Sequence, residues 1–216
     1  MWYNKSMIKA VIFDIDGTLM DSFQANVDFY QRLMVAAGYK KPTKAEFKDG
    51  IWRTSWDEIK HLSRSDNDAE LRRILLIGLS VPINESLYKK QKGIKAVLGG
   101  LKKRYRLGIV TNRSKESAKI ALNFLGLKEM IRTVITSSDV LYGKPNPEGI
   151  NLVLKKLKVN PQQAVFVGDS LSDAQAAAAA GVNFVTFGKR SLIKGGLKTN
   201  KFVDLPKLIA TYEYLQ

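Results

Sequence analysis

The 216-residue chain contains no cysteine, so it forms neither disulfides nor thiolate metal sites, a pattern that fits an intracellular protein. Its single histidine, His61, has no partners around which a catalytic triad assembles and is read as a surface or packing residue. No apolar run approaches the ~20 residues that span a bilayer, and Met1–Met7 lacks the apolar segment of a signal peptide. A cytoplasmic location without membrane contact is expected, with the residues before Met7 a loosely held extension. Acidic residues are also scarce: 35 Lys and Arg against 20 Asp and Glu give a net charge of +15. Between Lys89 and Arg106 there are eight basic residues and no acidic one. Such a surface steers phosphorylated anions or attracts nucleic acid. The interleaved aromatics and recognition helix of a nucleic-acid reader are missing, so the excess is read as a lysine-rich solvated surface and nucleic acid is not an expected partner. The sequence leaves the oligomeric state open.

What is present begins with Lys9-Ala-Val-Ile-Phe-Asp-Ile-Asp-Gly-Thr-Leu19, an apolar strand ending in two carboxylates and a turn. Side chains alternate along a strand, so Asp14 and Asp16 project to one side while Ile15 turns to the other. Two adjacent carboxylates repel unless a proton or a cation neutralises them, and at a strand end they suit Mg²⁺. This pattern points to metal-assisted phosphoryl transfer. An Asp-Gly pair also makes hairpin turns, but no partner strand follows it.

Three later runs repeat the arrangement: Leu107–Asn112, Ile131–Thr136 and Ala164–Asp169 are apolar and end in polar residues, as buried parallel strands do. Asn183–Phe187 supplies a further strand. Helix-length stretches separate them, with Ser114 as a cap and Asn146-Pro147 as a helix start. The order predicts a doubly wound, Rossmann-like parallel α/β sheet, which binds ligands beyond the carboxyl ends of its strands.

Asp14-Ile-Asp16-Gly-Thr18, Thr111-Asn112, Lys144-Pro145 and Gly168-Asp169-Ser-Leu-Ser-Asp173 stand in the order and spacing of the four motifs of the haloacid dehalogenase-like hydrolase superfamily. The chain resembles its phosphoglycolate phosphatase-like branch from Ile8 to about Leu208. Taken singly, Gly-Lys-Pro-Asn-Pro is also a rigid turn and Gly168-Asp169 a strand exit; four motifs in register point to a site.

The resemblance implies a role for each residue. Asp14 is the nucleophile that forms an aspartyl-phosphate. Asp16 is the general acid/base for the leaving oxygen and the attacking water, and its backbone carbonyl is a metal ligand. Thr111 and Asn112 donate to phosphoryl oxygens, and Lys144 clamps the anion beside Asp14. Asp14, Asp16 and Asp169 hold Mg²⁺, with Asp173 supporting that set from behind. The second aspartate favours hydrolysis of a small phosphate monoester, phosphoglycolate-like or a sugar phosphate. A sugar phosphomutase shares these residues, and a silent ligand-binding member of the fold remains the non-enzymatic alternative.

Specificity is expected from a helical cap domain, residues 21–92, inserted between the core segments 1–20 and 93–216. Ser22–Gly38 reads as one helix, Thr43-Lys-Ala-Glu46 as a capping box opening another, and further helices are expected after Ser55, Asp66 and Pro82, with no strand between Asp21 and Lys92. Lys48-Asp-Gly-Ile-Trp-Arg-Thr54 offers Arg53 as a grip for a carboxylate or second phosphate. Equally, Arg53 is solvated and Trp52 and Trp56 pack between helices at i, i+4.

Overall fold

A computed structural model describes residues 7–47, 53–188 and 196–215. The chain divides into two compact units: Met1–Met20 with Lys90–Gln216, and Asp21–Lys89.

The larger unit is built on a parallel sheet of β1 (Ala10–Phe13), β4 (Arg106–Val110), β5 (Thr133–Ile135), β6 (Ala164–Gly168), β7 (Asn183–Phe187) and β8 (Leu197–Thr199), in the spatial order β5-β4-β1-β6-β7-β8. Every neighbouring pair is parallel. The chain therefore builds outward from β1 in both directions, and the order reverses beside it, where such sheets leave a ligand crevice. β1 and β6 are buried throughout, which is why both read as unbroken apolar runs rather than alternating ones. Helices α4 (Ile94–Lys102), α5 (Lys115–Leu125), α6 (Glu148–Leu157), α7 (Leu171–Ala179) and α8 (Leu205–Leu215) belong to the same unit. Ile150, Val153 and Leu154 of α6 and Ala176 and Ala177 of α7 enter one apolar cluster with Ile12 and Phe166 of the sheet. The alanines of α7 allow close approach to the strands. Neither β8 nor α8 was expected from the sequence; β8 is a short strand of mixed polarity with little periodic signal.

The smaller unit contains α1 (Phe23–Ala36), α2 (Ser55–Ser63) and α3 (Asp68–Gly78). Leu33, Met34, Ile59, Leu71 and Ile74 form its core, with Trp56 packed against them. Thr54 and Asn67 cap α2 and α3 by accepting from the amides of Asp57 and Glu70.

Three details differ from expectation. Thr43–Glu46 opens only a 3-10 turn, Lys44–Phe47, in which the Glu46 carboxylate accepts from both the Thr43 amide and hydroxyl. The helix expected after Pro82 is a single 3-10 turn, Glu85–Leu87, where Asn84 accepts from the Ser86 amide and hydroxyl. Short polar side chains that bond the nearby backbone compete with longer helix. The interval expected to lack strands carries two-residue strands at its ends, β2 (Met20–Asp21) paired with β3 (Lys89–Lys90). Two residues give too little alternation to read as a strand. Trp52 lies outside the described residues.

Candidate active site

The sheet brings the separated motifs to one end. Asp14 and Asp16 follow β1, Thr111 and Asn112 follow β4, and Asp169 follows β6, so three adjacent strands deliver polar residues at their carboxyl ends. Lys144 arrives on the loop after β5.

Two glycines permit the close approach. Gly17 has φ +74°, and a Cβ there would lie 1.9 Å from Asp169 Oδ2. A Cβ on Gly168 would lie 2.6 Å from the Asp173 side chain. The Asp-x-Asp-Gly and Gly-Asp pairs are thus steric necessities that let carboxylates of one loop press against the backbone of another.

Lys144 is the hub. Its side chain is 4% exposed; Nζ donates to Asp14 Oδ1 at 2.7 Å, to Asp173 Oδ1 at 2.6 Å and to the Val110 carbonyl at 3.4 Å. Burial alone would lower the Lys144 pKa, but the charges of Asp14 and Asp173 outweigh it and hold the ammonium above the usual lysine range. The Lys144–Pro145 peptide is cis. Asn112 fixes the stretch from which Lys144 springs: its Oδ1 accepts from the Lys144 amide at 2.8 Å and its Nδ2 donates to the Lys144 carbonyl at 3.0 Å. These bonds use the carbonyl oxygen and one N–H of the Asn112 amide, whose NH2 carries a second N–H. Thr111 is buried and its Oγ1 accepts from the Arg113 amide at 3.2 Å.

Asp173 has both oxygens engaged. Oδ1 takes Lys144, while Oδ2 accepts from the Ser170 amide at 3.1 Å and hydroxyl at 2.6 Å in the capping box that starts α7. Asp14, Asp169 and Asp173 each bring one carboxylate oxygen to within 4.8 Å of the others. Burial pushes Asp14 up to about 7 against the pull of Lys144, with Asp173 and Asp16 adding repulsion. Burial, then Asp173 and Asp14, holds Asp169 well above the carboxylate range. Negative charge is in excess here.

Asp16 stands beside that cluster, near enough for its charge to raise Asp14 and Asp169, and is held by a cation of its own. Arg113 grips it at two points, Nε to Oδ2 at 2.7 Å and Nη2 to Oδ1 at 2.6 Å, and Arg113 Nη1 donates to Ser117 Oγ at 2.7 Å. Sequence reasoning missed Arg113 and Ser170. Both had signals: a cation immediately after the Thr111-Asn112 strand end, and the Ser-x-x-Asp pattern of a capping box. Arg53 lies in the smaller unit with Nη1 3.8 Å from Glu58 Oε2. His61 is exposed, its Nε2 3.2 Å from the Glu46 carbonyl oxygen.

The family model of the haloacid dehalogenase-like hydrolases matches residues 11–187, the span that holds all four motifs. The chain belongs to this family.

As a haloacid dehalogenase-like hydrolase it falls on the phosphoglycolate phosphatase-like branch. It is 32% identical over 193 residues to a phosphoglycolate phosphatase of Rhodospirillum rubrum, covering 83% of this chain and 79% of that protein. It is 28% identical over 200 residues to pyrophosphatase PpaX of Bacillus velezensis, covering 87% and 86%. The crystal structure of a subfamily IA hydrolase of the superfamily from Geobacter sulfurreducens shares 30% identity with a TM-score of 0.71, covering 94% of this chain and 96% of that one.

The donor set fits the divalent cation such hydrolases use. Four carboxylates, Asp14, Asp16, Asp169 and Asp173, face two cations, Lys144 and Arg113, and the ligand atoms on offer are hard oxygens. No described residue hydrogen-bonds the Asp169 carboxylate, whereas both Asp173 oxygens are taken. Asp14 and Asp169 are the better placed to turn an oxygen to an ion, with Asp173 behind them. No described helix is long and apolar enough to cross a membrane.

Proposed function

We propose that this hydrolase is a Mg²⁺-dependent phosphatase for a small phosphate monoester, a phosphoglycolate-like acid or a sugar phosphate, acting through an aspartyl-phosphate on Asp14. The observation that carries the reading is the buried bridge of Lys144 between Asp14 and Asp173. It aims one oxygen of Asp14 at an ammonium and leaves the other to act on phosphorus.

In the first half-reaction an Asp14 oxygen attacks phosphorus and the ester oxygen departs, taking a proton from Asp16. In the second, Asp16 receives a proton from water, whose oxygen attacks phosphorus and releases phosphate and the Asp14 carboxylate. Lys144 favours the ionised nucleophile and offsets charge gathering on the transferring group. Thr111 and Asn112, which follow β4, are the candidate donors to the oxygens of that group. A bound divalent ion, held by Asp14, Asp169 and the Asp16 carbonyl, would neutralise phosphoryl charge and fix its orientation. The helical unit is assigned the cap role, with Arg53 as the candidate contact to the leaving group.

The test is phosphate release from phosphoglycolate, sugar phosphates and pyrophosphate, with Mg²⁺ or a chelator, for the wild type and Asp14→Asn. Turnover that needs the metal and falls by on the order of 10⁴-fold in the variant supports the reading. Isomerisation of a sugar phosphate without phosphate release overturns it in favour of a mutase.

A further inference from the structure

The Asp16–Arg113 pair is unlike the surface pairs of this protein. Arg32–Asp28 and Arg73–Glu70 are ordinary helix-face contacts three or four residues apart, with exposed arginines. Asp16 and Arg113 stand 97 residues apart on the loops after neighbouring strands β1 and β4, with side chains only 20% and 8% exposed. The guanidinium meets both carboxylate oxygens at 2.6 and 2.7 Å, the fork geometry that fixes orientation as well as distance. The fork is itself held: Nη1 rests on Ser117 in the first turn of α5, and the Arg113 carbonyl accepts from the Ser137 amide at 2.9 Å.

We infer that Arg113 is the positioning residue for Asp16, setting the rotamer from which this carboxyl group exchanges a proton with the ester oxygen and then with water. The inference rests on the phosphatase reading above. A general acid/base works only within hydrogen-bond reach of the proton it moves, and displacements of about 1 Å in a catalytic group cost on the order of 10²-fold in rate. An aspartate at the mouth of a sheet has two free torsions unless something fixes them. The two-point grip fixes both. A lysine in the same place would supply the charge but hold only one oxygen, leaving the carboxylate free to swing.

The grip predicts a dependence on the leaving group. An alkyl phosphate needs a proton delivered to its departing oxygen, whereas p-nitrophenyl phosphate releases a stable phenolate without one. The experiment measures kcat and KM for the wild type, Arg113→Gln and Arg113→Lys on both esters under saturating Mg²⁺, with thermal melts of each protein.

The expected result is a kcat on the alkyl ester lower by roughly tenfold to a hundredfold in Arg113→Gln. KM should stay within about twofold, the loss on p-nitrophenyl phosphate should be distinctly smaller, and Arg113→Lys should fall between. An equal loss on both esters, or an unchanged kcat in a folded variant, overturns the inference. If Arg113→Gln does not fold, Arg113→Lys decides by the same ester comparison. A wild type that hydrolyses neither ester would instead bring down the phosphatase reading.

Discussion

The two units bury acidic groups in opposite ways. In the larger unit Lys144 and the start of α7 surround Asp173 completely, Lys144 donating to one oxygen and Ser170 to the other. In the smaller unit Glu58 is 2% exposed, yet no described residue hydrogen-bonds either carboxyl oxygen, and Arg53 Nη1 stands 3.8 Å from Oε2. Asp14 and Glu58 are both pushed up to about 7. Burial is the leading cause in each; Asp14 is restrained by the hydrogen-bonded Lys144 ammonium and raised by Asp173 and Asp16, while Glu58 is restrained by the Arg53 guanidinium at 3.8 Å, with no hydrogen bond between them, and raised by Asp57. Charge buried inside a network of donors is held for chemistry. Charge buried without donors is a stability cost waiting for a partner or a proton.

The first way to break this contrast is to remove the hub. Lys144→Met leaves Asp14 and Asp173 buried with no cation between them, and losing one partner of a buried ionic network costs about 3–5 kcal/mol. Denaturant unfolding should report a loss of that size, and phosphate release should vanish. Mg²⁺ should recover part of the stability, by neutralising the carboxylates, but none of the turnover. Stability near that of the wild type in chelator would show that the network is not what holds this end of the sheet.

Of the two units, the larger was the more legible in the sequence, and the limits are physical. Strand runs such as Ala164–Asp169 announce themselves because parallel strands are buried on both faces and because three of the expected later runs end in polar residues. Asp14, Asp16, Lys144 and Asp169 stood out as candidates because their residue types follow the order and spacing of the four motifs. Arg113 was missed because its partner lies 97 residues away in sequence and only the parallel pairing of β1 with β4 makes them neighbours. The engagement of Asn112 with the Lys144 backbone was hidden for the same reason. In the smaller unit, Asn84 and Glu46 bond their own neighbourhoods and cut short the helices their surroundings suggest. Glu58 gave no signal at all: it sits in a helical Ser-Trp-Asp-Glu-Ile run where a glutamate is ordinarily solvated.

Titration of Glu58 sharpens the comparison. Its folded pKa, about 7, lies above the ordinary 4.5. The folded state therefore holds a proton that the unfolded chain has lost between these values, so the contribution of Glu58 to stability falls as pH rises through this window. Glu58→Gln removes the titration. Relative to the wild type it should gain about 3 kcal/mol between pH 4.5 and pH 8, read as the change in the difference of unfolding free energies. A pH-independent difference would mean that Glu58 finds a donor on ionising.

The smallest effects come from one motif used in both units. Ser170 caps α7 by accepting from the Asp173 amide, while its own amide and hydroxyl donate to the Asp173 carboxylate in a buried setting. Thr54 caps α2 by accepting from the Asp57 amide at 3.2 Å and donating to Asp57 Oδ2 at 2.6 Å, and these bonds face solvent. Ser170→Ala removes a cap and also strips a donor from a buried carboxylate whose other oxygen holds Lys144, so its cost should sit near the top of the cap range, about 2 kcal/mol. Thr54→Ala loses only what water readily replaces, roughly 0.5–1 kcal/mol. Ser170→Ala should in addition lower kcat, because Asp173 is then free to release Lys144, whereas Thr54→Ala should leave kcat where it was. Paired denaturant melts and turnover assays measure both. Equal stability costs with equal turnover would mean that the capping box of α7 serves its helix alone and not the site.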